Sequence, residues 1–148
     1  MQGPWKRAIF ECAPYIATND KGQIAMKVLY VEDNEDDVYM LKTRLELIGD
    51  FEVVTAGNGK KGCELAAGER PDIIIMDLEM PVMDGWEAAR RLKSEPQTRD
   101  IPIIALSAHA LAGERERAFA AGCDAFDSKP IQFERLLETL RRLGRVAL

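Results

Sequence analysis

The stretch 72–77, DIIIMD, and the LEMPVMDG (78–85) that follows it decide the fold. Four consecutive apolar residues, Ile73 to Met76, run directly into the carboxylate of Asp77. An unbroken apolar run of this length suits a strand covered on both faces, because such a strand has no solvent side to alternate toward. A carboxylate at its end is expensive to desolvate unless something pairs with it. What lies beside this strand therefore determines what Asp77 is for.

Working outward, the same rhythm repeats on both sides. KVLYV (27–31), EVVTA (52–56), IPIIALS (101–107) and the short DAFDS (124–128) read as further strands, with Pro102 at the start of its strand where the missing N–H does no harm. Between and after them lie helical patterns. VYMLKTRLELI (38–48) spaces Val38, Leu41, Leu45 and Ile48 on one face, and FERLLETLRRL (133–143) does so with Phe133, Leu136, Leu137, Leu140 and Leu143. GKKGCELAAGER (59–70), WEAARRLKS (86–94) and AGERERAFAAG (112–122) complete the set, stopped by glycines or by Pro96. Strict alternation of strand and helix predicts an α/β fold with a parallel sheet, right-handed crossovers and helices on both faces.

The chain of 148 residues is long enough for one domain with its own core. Its formal net charge of −5 argues against nonspecific attraction to nucleic acid or to an anionic membrane surface. No apolar run approaches the roughly 18 residues of a membrane span. Cys12, Cys63 and Cys123 are scattered, form no CxxC pair and have only His109 for company, so a thiolate zinc site is not expected. Cys63 and Cys123 read as small packing residues, and reduced thiols suit a cytoplasmic protein. Residues 1–25 carry Lys6 and Arg7 before a weakly apolar patch that Glu11 and Pro14 interrupt, which is unlike a signal peptide. They read as an N-terminal extension of uncertain structure ahead of a domain over 26–148, with Met26 as a second candidate start.

The polar residues that end the strands converge. The first strand ends at Glu32 and Asp33, the third at Asp77, the fourth at Ser107, and the fifth runs into Lys129. Open parallel sheets bind ligands outside the carboxyl ends of their strands. Three carboxylates gathered there would repel one another, by about 4 kcal/mol for a pair about 4 Å apart at an effective dielectric of 20. A divalent cation relieves that repulsion, and an all-oxygen ligand set points to Mg²⁺ or Mn²⁺. With Lys129 as a second cation and Ser107 as a hydroxyl donor, the groups suit a phosphoryl oxyanion, and Asp77 becomes a nucleophile able to carry an aspartyl phosphate.

Four stretches, VLYVEDNEDD, PDIIIMDLEMPVMDGWE, IPIIALSA and GCDAFDSKPI, resemble the receiver domain of two-component response regulators. The resemblance covers about residues 26–143 and is strongest to stand-alone receivers. It implies a flavodoxin-like, doubly wound (βα)5 fold with strand order 2-1-3-4-5. It implies that Asp77 is the phosphoacceptor, that Asp33 ligates Mg²⁺ directly, that Glu32 acts mainly through metal-bound water, and that the Glu79 backbone carbonyl completes the ligands. Lys129 resembles the lysine that contacts a phosphoryl oxygen, Ser107 the switch hydroxyl and Phe126 the aromatic that moves with it. Pro130 would follow a cis peptide bond. The implied partners are a sensor histidine kinase or histidine phosphotransfer protein and a downstream protein bound through the fourth helix, fifth strand and fifth helix, with no nucleic acid and no membrane insertion. The implied protein is a switch that assists only its own phosphorylation and dephosphorylation, not an enzyme with a separate substrate. Glu32, Ser107 and Phe126 stand where aspartate, threonine and tyrosine are frequent.

Simpler roles compete at several positions. Asn34 reads as a helix N-cap, and Asp36 and Asp37 as first-turn acids with only that role. Asp84-Gly85 reads as a turn and helix cap, and Trp86 as a packing residue. Glu79 and His109 either tune water access to Asp77 or sit on a solvated rim. As whole-protein alternatives, a haloacid-dehalogenase-like phosphatase would place a second aspartate where Glu79 stands, an FMN-binding flavodoxin would not place EDNEDD at its phosphate loop, and a phosphorylation-independent scaffold would not need the full set of site residues.

Overall fold

The computed structural model describes residues 25–80, 82–109 and 111–144. The expected N-terminal extension, apart from Ala25, lies outside the described residues, as does Cys12. Five strands and five helices alternate: β1 (Met26–Val31), α1 (Glu35–Ile48), β2 (Phe51–Ala56), α2 (Gly59–Glu69), β3 (Ile73–Asp77), α3 (Gly85–Ser94), β4 (Ile103–Ser107), α4 (Glu114–Ala120), β5 (Ala125–Ser128) and α5 (Phe133–Gly144). The strands form one sheet in the order β2-β1-β3-β4-β5, parallel throughout. This is the doubly wound arrangement expected from the sequence.

The period-2 pleat sends alternate strand residues to opposite faces, and two separate cores result. Val28, Tyr30, Ile73, Ile75, Ile104 and Leu106 pack under Leu41 and Leu45 of α1 and Phe133, Leu136 and Leu140 of α5. Leu29, Val31, Ile74, Met76, Ile103 and Ala105 pack under Ala66 of α2, Trp86, Ala88 and Leu92 of α3, and Ala118 of α4. Every residue of β3 and β4 is buried, as their unbroken apolar sequences require. Cys123 is buried and Cys63 half-buried, both free, so these two are the packing thiols anticipated. Burial pushes the Cys123 thiol up to about 12.

Local signals set the helix boundaries. Asn34 accepts from the Asp37 N–H at 3.0 Å and starts α1 three residues before the apolar spacing alone suggests. Gly49 ends that helix at φ 92°, a conformation glycine adopts without strain. The expected apolar face of α1 holds at Leu41 and Leu45, with Val38 partly buried against the same core, but Ile48 in the last turn is exposed. Asp84 caps α3 through the Glu87 N–H at 2.9 Å, and Trp86 behind it is buried, as anticipated for both. The α3 start lies hard against the strand: a Cβ at Gly85 would come within 2.4 Å of the Asp77 carbonyl oxygen.

Candidate functional site

The site is built by strand ends. Val31, Asp77 and Ser107 are the last residues of β1, β3 and β4, so whatever follows them emerges at one rim of the sheet. Register makes the neighbours specific: Asp77 stands opposite Leu106, and Ser107 opposite Ser128. The Lys129 N–H donates to the Ser107 carbonyl at 2.8 Å, which seats Lys129 beside β4. The Lys129–Pro130 peptide bond is cis.

Glu32, Asp33 and Asp77 each present a carboxylate oxygen within 4.8 Å of the other two. Glu32 and Asp77 are each only 2% exposed, whereas Asp33 is open to solvent. Lys129 Nζ holds this group together. It donates to Glu32 Oε1 at 2.7 Å and lies 3.5 Å from Asp77 Oδ2. Glu32 also accepts from the Tyr30 hydroxyl at 3.3 Å and from the Asn34 N–H at 3.1 Å. Asp77 Oδ1 accepts from the Glu79 N–H at 3.2 Å.

One ammonium thus serves two buried acids, Glu32 and Asp77, and the titration behaviour reflects it. Burial, followed by the negative charge of Glu32, pushes the Asp77 carboxyl up to about 7, although Lys129 and the Glu79 N–H pull the other way. Burial works against the Lys129 ammonium, but the hydrogen bond to Glu32 and the charges of Asp77, Glu32 and Asp37 outweigh it and leave its pKa raised. Burial and Glu32 push the Tyr30 phenol upward as well. Excess negative charge with a single ammonium, presented by oxygen donors alone, fits a hard divalent cation such as Mg²⁺. Glu32, Asp33 and Asp77 are the side chains that would hold it.

One sequence reading is corrected here. Asp37 does more than start a helix: its Oδ2 lies 3.6 Å from Lys129 Nζ. Glu79 is half-buried. Its Oε1 accepts from the Ala108 N–H at 2.8 Å, and its Oε2 is buried without a hydrogen-bond partner among the described residues. His109 does have an exposed side chain, while its N–H donates to Ser107 Oγ at 3.2 Å.

The structure adds a residue that sequence reasoning missed. The Ser107 hydroxyl donates to Glu114 Oε1, from the first residue of α4. In GERERAF this glutamate looks like any first-turn acid, and no spacing rule singles it out. Phe126 of β5 is half-buried against the α2–α3–α4 core and lines a cavity of about 420 Å³, with Arg115 and Phe119 of α4 and Arg135 and Arg142 of α5.

Known proteins resemble this chain in sequence and fold. The family model for the response regulator receiver domain matches residues 28–141. The polar-differentiation response regulator DivK of Brucella anthropi is 39% identical over 114 residues, which is 77% of this chain and 92% of the relative. Among solved structures, the receiver domain of a sensor histidine kinase from Pseudomonas aeruginosa, with a magnesium ion coordinated in its active-site cleft, superposes with a TM-score of 0.75 at 33% identity, covering 81% of this chain and 98% of that one. The chemotaxis protein CheY4 of Vibrio cholerae does so with a TM-score of 0.75 at 33% identity, covering 80% and 98%.

Proposed function

The chain belongs to the response regulator receiver domain family of two-component signalling, and from that premise we propose that residues 26–148 act as a switch that takes a phosphoryl group from phosphohistidine onto Asp77. One observation carries the reading: Asp77 is buried between a carboxylate group whose oxygens lie within 4.8 Å and the ammonium of Lys129 at 3.5 Å. A carboxylate so placed is ionised and usable only where cations offset its neighbours.

The donor is a sensor histidine kinase or a histidine phosphotransfer protein. An Asp77 oxygen attacks phosphorus in line, the O–P bond forms, and the P–N bond to the donor imidazole breaks. The leaving nitrogen keeps the electron pair and is protonated. Lys129 stands 3.5 Å from Asp77 Oδ2, close enough to neutralise a phosphoryl oxygen there. Mg²⁺ would be held by Asp33, Asp77 and the Glu79 carbonyl, with Glu32 acting mainly through metal-bound water, and would supply charge neutralisation there.

The product adds about −1.5 to −2 charges and new acceptor oxygens beside β4. Ser107 follows those oxygens, Phe126 moves into the space released, and the surface of α4, β5 and α5 changes for a downstream protein. The shift is a redistribution between two states, driven by what the phosphoryl group touches in each. Treatment with acetyl phosphate and Mg²⁺ followed by hydroxylamine tests the chemistry. An acyl phosphate on Asp77 yields a hydroxamate in the peptide that contains it; an unmodified peptide, or the modification elsewhere, contradicts the reading.

A further inference from the structure

The donors at the end of β4 are already engaged by glutamates. The Ser107 hydroxyl donates to Glu114 Oε1, and the Ala108 N–H donates to Glu79 Oε1 at 2.8 Å. Both donors lie one strand away from Asp77, since Leu106 is its register partner and Leu78 N–H bonds to the Leu106 carbonyl at 2.9 Å. Glu79 reaches across from the loop after β3, and Glu114 reaches back from α4. The second oxygen of Glu79 is buried with no hydrogen-bond partner among the described residues. An acceptor left so carries a desolvation cost, which weakens the hold of this side chain on Ala108.

We propose that Glu79 and Glu114 form a carboxylate latch that holds the switch in its unphosphorylated state by occupying the hydrogen-bond donors a phosphoryl group on Asp77 would need. The inference rests on the phosphoacceptor reading of Asp77. Each glutamate presents the same kind of oxygen to these donors that a phosphoryl group would present. Release has a physical cause: a group carrying about −1.5 to −2 charges on Asp77 repels both carboxylates while offering better acceptors to the same donors. Because Glu114 opens α4, its departure removes the side-chain bond between the start of that helix and Ser107, which couples chemistry at the strand end to the helix surface. Glu79 and Glu114 act here as positioning residues, through Ser107 and Ala108.

Beryllium fluoride with Mg²⁺ is the probe, and its affinity is read by titration of amide NMR signals in the full chain. Glu114→Ala is expected to bind it about tenfold more tightly than the unaltered protein, the effect of removing a charge-assisted competitor. Glu79→Ala is expected to shift in the same direction. In Ser107→Ala the hydroxyl that Glu114 holds is gone, so adding Glu114→Ala to it is expected to change affinity less than twofold. Free Glu114→Ala should also show its α4 amide signals displaced toward their positions in the beryllium fluoride complex of the unaltered protein. Equal or weaker binding by folded Glu114→Ala overturns the latch, as does the same tenfold gain in the Ser107→Ala background. If Glu114→Ala unfolds, Glu114→Met, which also offers the Ser107 hydroxyl no carboxylate acceptor, is substituted, and failure of its signals to move toward the bound positions overturns the latch as well. Absence of beryllium fluoride binding by the unaltered protein overturns the Asp77 reading itself, a distinct failure.

Discussion

Replacing Lys129 by methionine keeps the apolar stem and removes only the ammonium. Three acids then lose their shared cation: Glu32 at 2.7 Å, Asp77 at 3.5 Å and Asp37 at 3.6 Å. At an effective dielectric of 20, the 3.5 Å attraction alone is about 5 kcal/mol gross, most of it offsetting desolvation. Removing one partner of a fully buried pair costs about 3–5 kcal/mol. Because the Lys129 side chain is 19% exposed, the lower end applies, and a loss of about 3 kcal/mol is expected near pH 8 without metal. The pH dependence has a definite sign. The folded-state pKa of Asp77 is raised to about 7, so the fold holds a proton that the unfolded chain has released. Lys129 pulls the Asp77 pKa down, so Lys129→Met raises it above about 7; as pH falls toward 7 the variant takes up the proton first, the repulsion is relieved, and the penalty of Lys129→Met shrinks. Millimolar Mg²⁺ should shrink it too, by supplying the missing charge. Urea unfolding followed by far-UV circular dichroism measures this at about pH 8 and about pH 5.5, with and without Mg²⁺. A penalty that is the same at both pH values and unaffected by Mg²⁺ would refute the electrostatic reasoning.

Ser107→Ala should still become phosphorylated but bind its downstream partner with little gain on phosphorylation; an undiminished gain, measured by pull-down or calorimetry, counts against Ser107 as the switch hydroxyl. Gly85→Ala places a Cβ within 2.4 Å of the Asp77 carbonyl, so overpacking should destabilise the protein by about 1–3 kcal/mol in chemical unfolding despite alanine's better helix propensity. Mg²⁺ affinity should decline by up to about tenfold per pH unit as pH drops below about 7, since Asp77 then holds a proton; calorimetric titration that shows no change between pH 8 and 6 would argue that Asp77 does not ligate the metal. Chelating Mg²⁺ should lower the thermal midpoint, by an amount that follows the metal concentration used.

Much of this was legible before any coordinates. Runs such as IIIM and IIAL have no polar face, and only doubly covered strands tolerate that, so the parallel sheet and its layers follow from the sequence. The clustering of Glu32, Asp33, Asp77, Ser107 and Lys129 follows from the same topology, because each ends or follows a strand and all parallel strands end at one rim. What the sequence hides is where long side chains turn back. Asp37 sits in a helix turn yet reaches Lys129, and Glu114 lies seven residues after Ser107 yet accepts a hydrogen bond from its hydroxyl. Neither contact obeys a periodic rule, since each depends on how a loop returns a helix start over the rim. Glu79 is similar: its position next to the site is readable, but its bond to Ala108 crosses between two loops.

The most direct test of Asp77 as phosphoacceptor is intact mass spectrometry after incubation with acetyl phosphate and Mg²⁺. The protein should gain the mass of one phosphoryl group, and neither the metal-chelated sample nor Asp77→Asn should do so. An equal gain in folded Asp77→Asn would contradict the assignment.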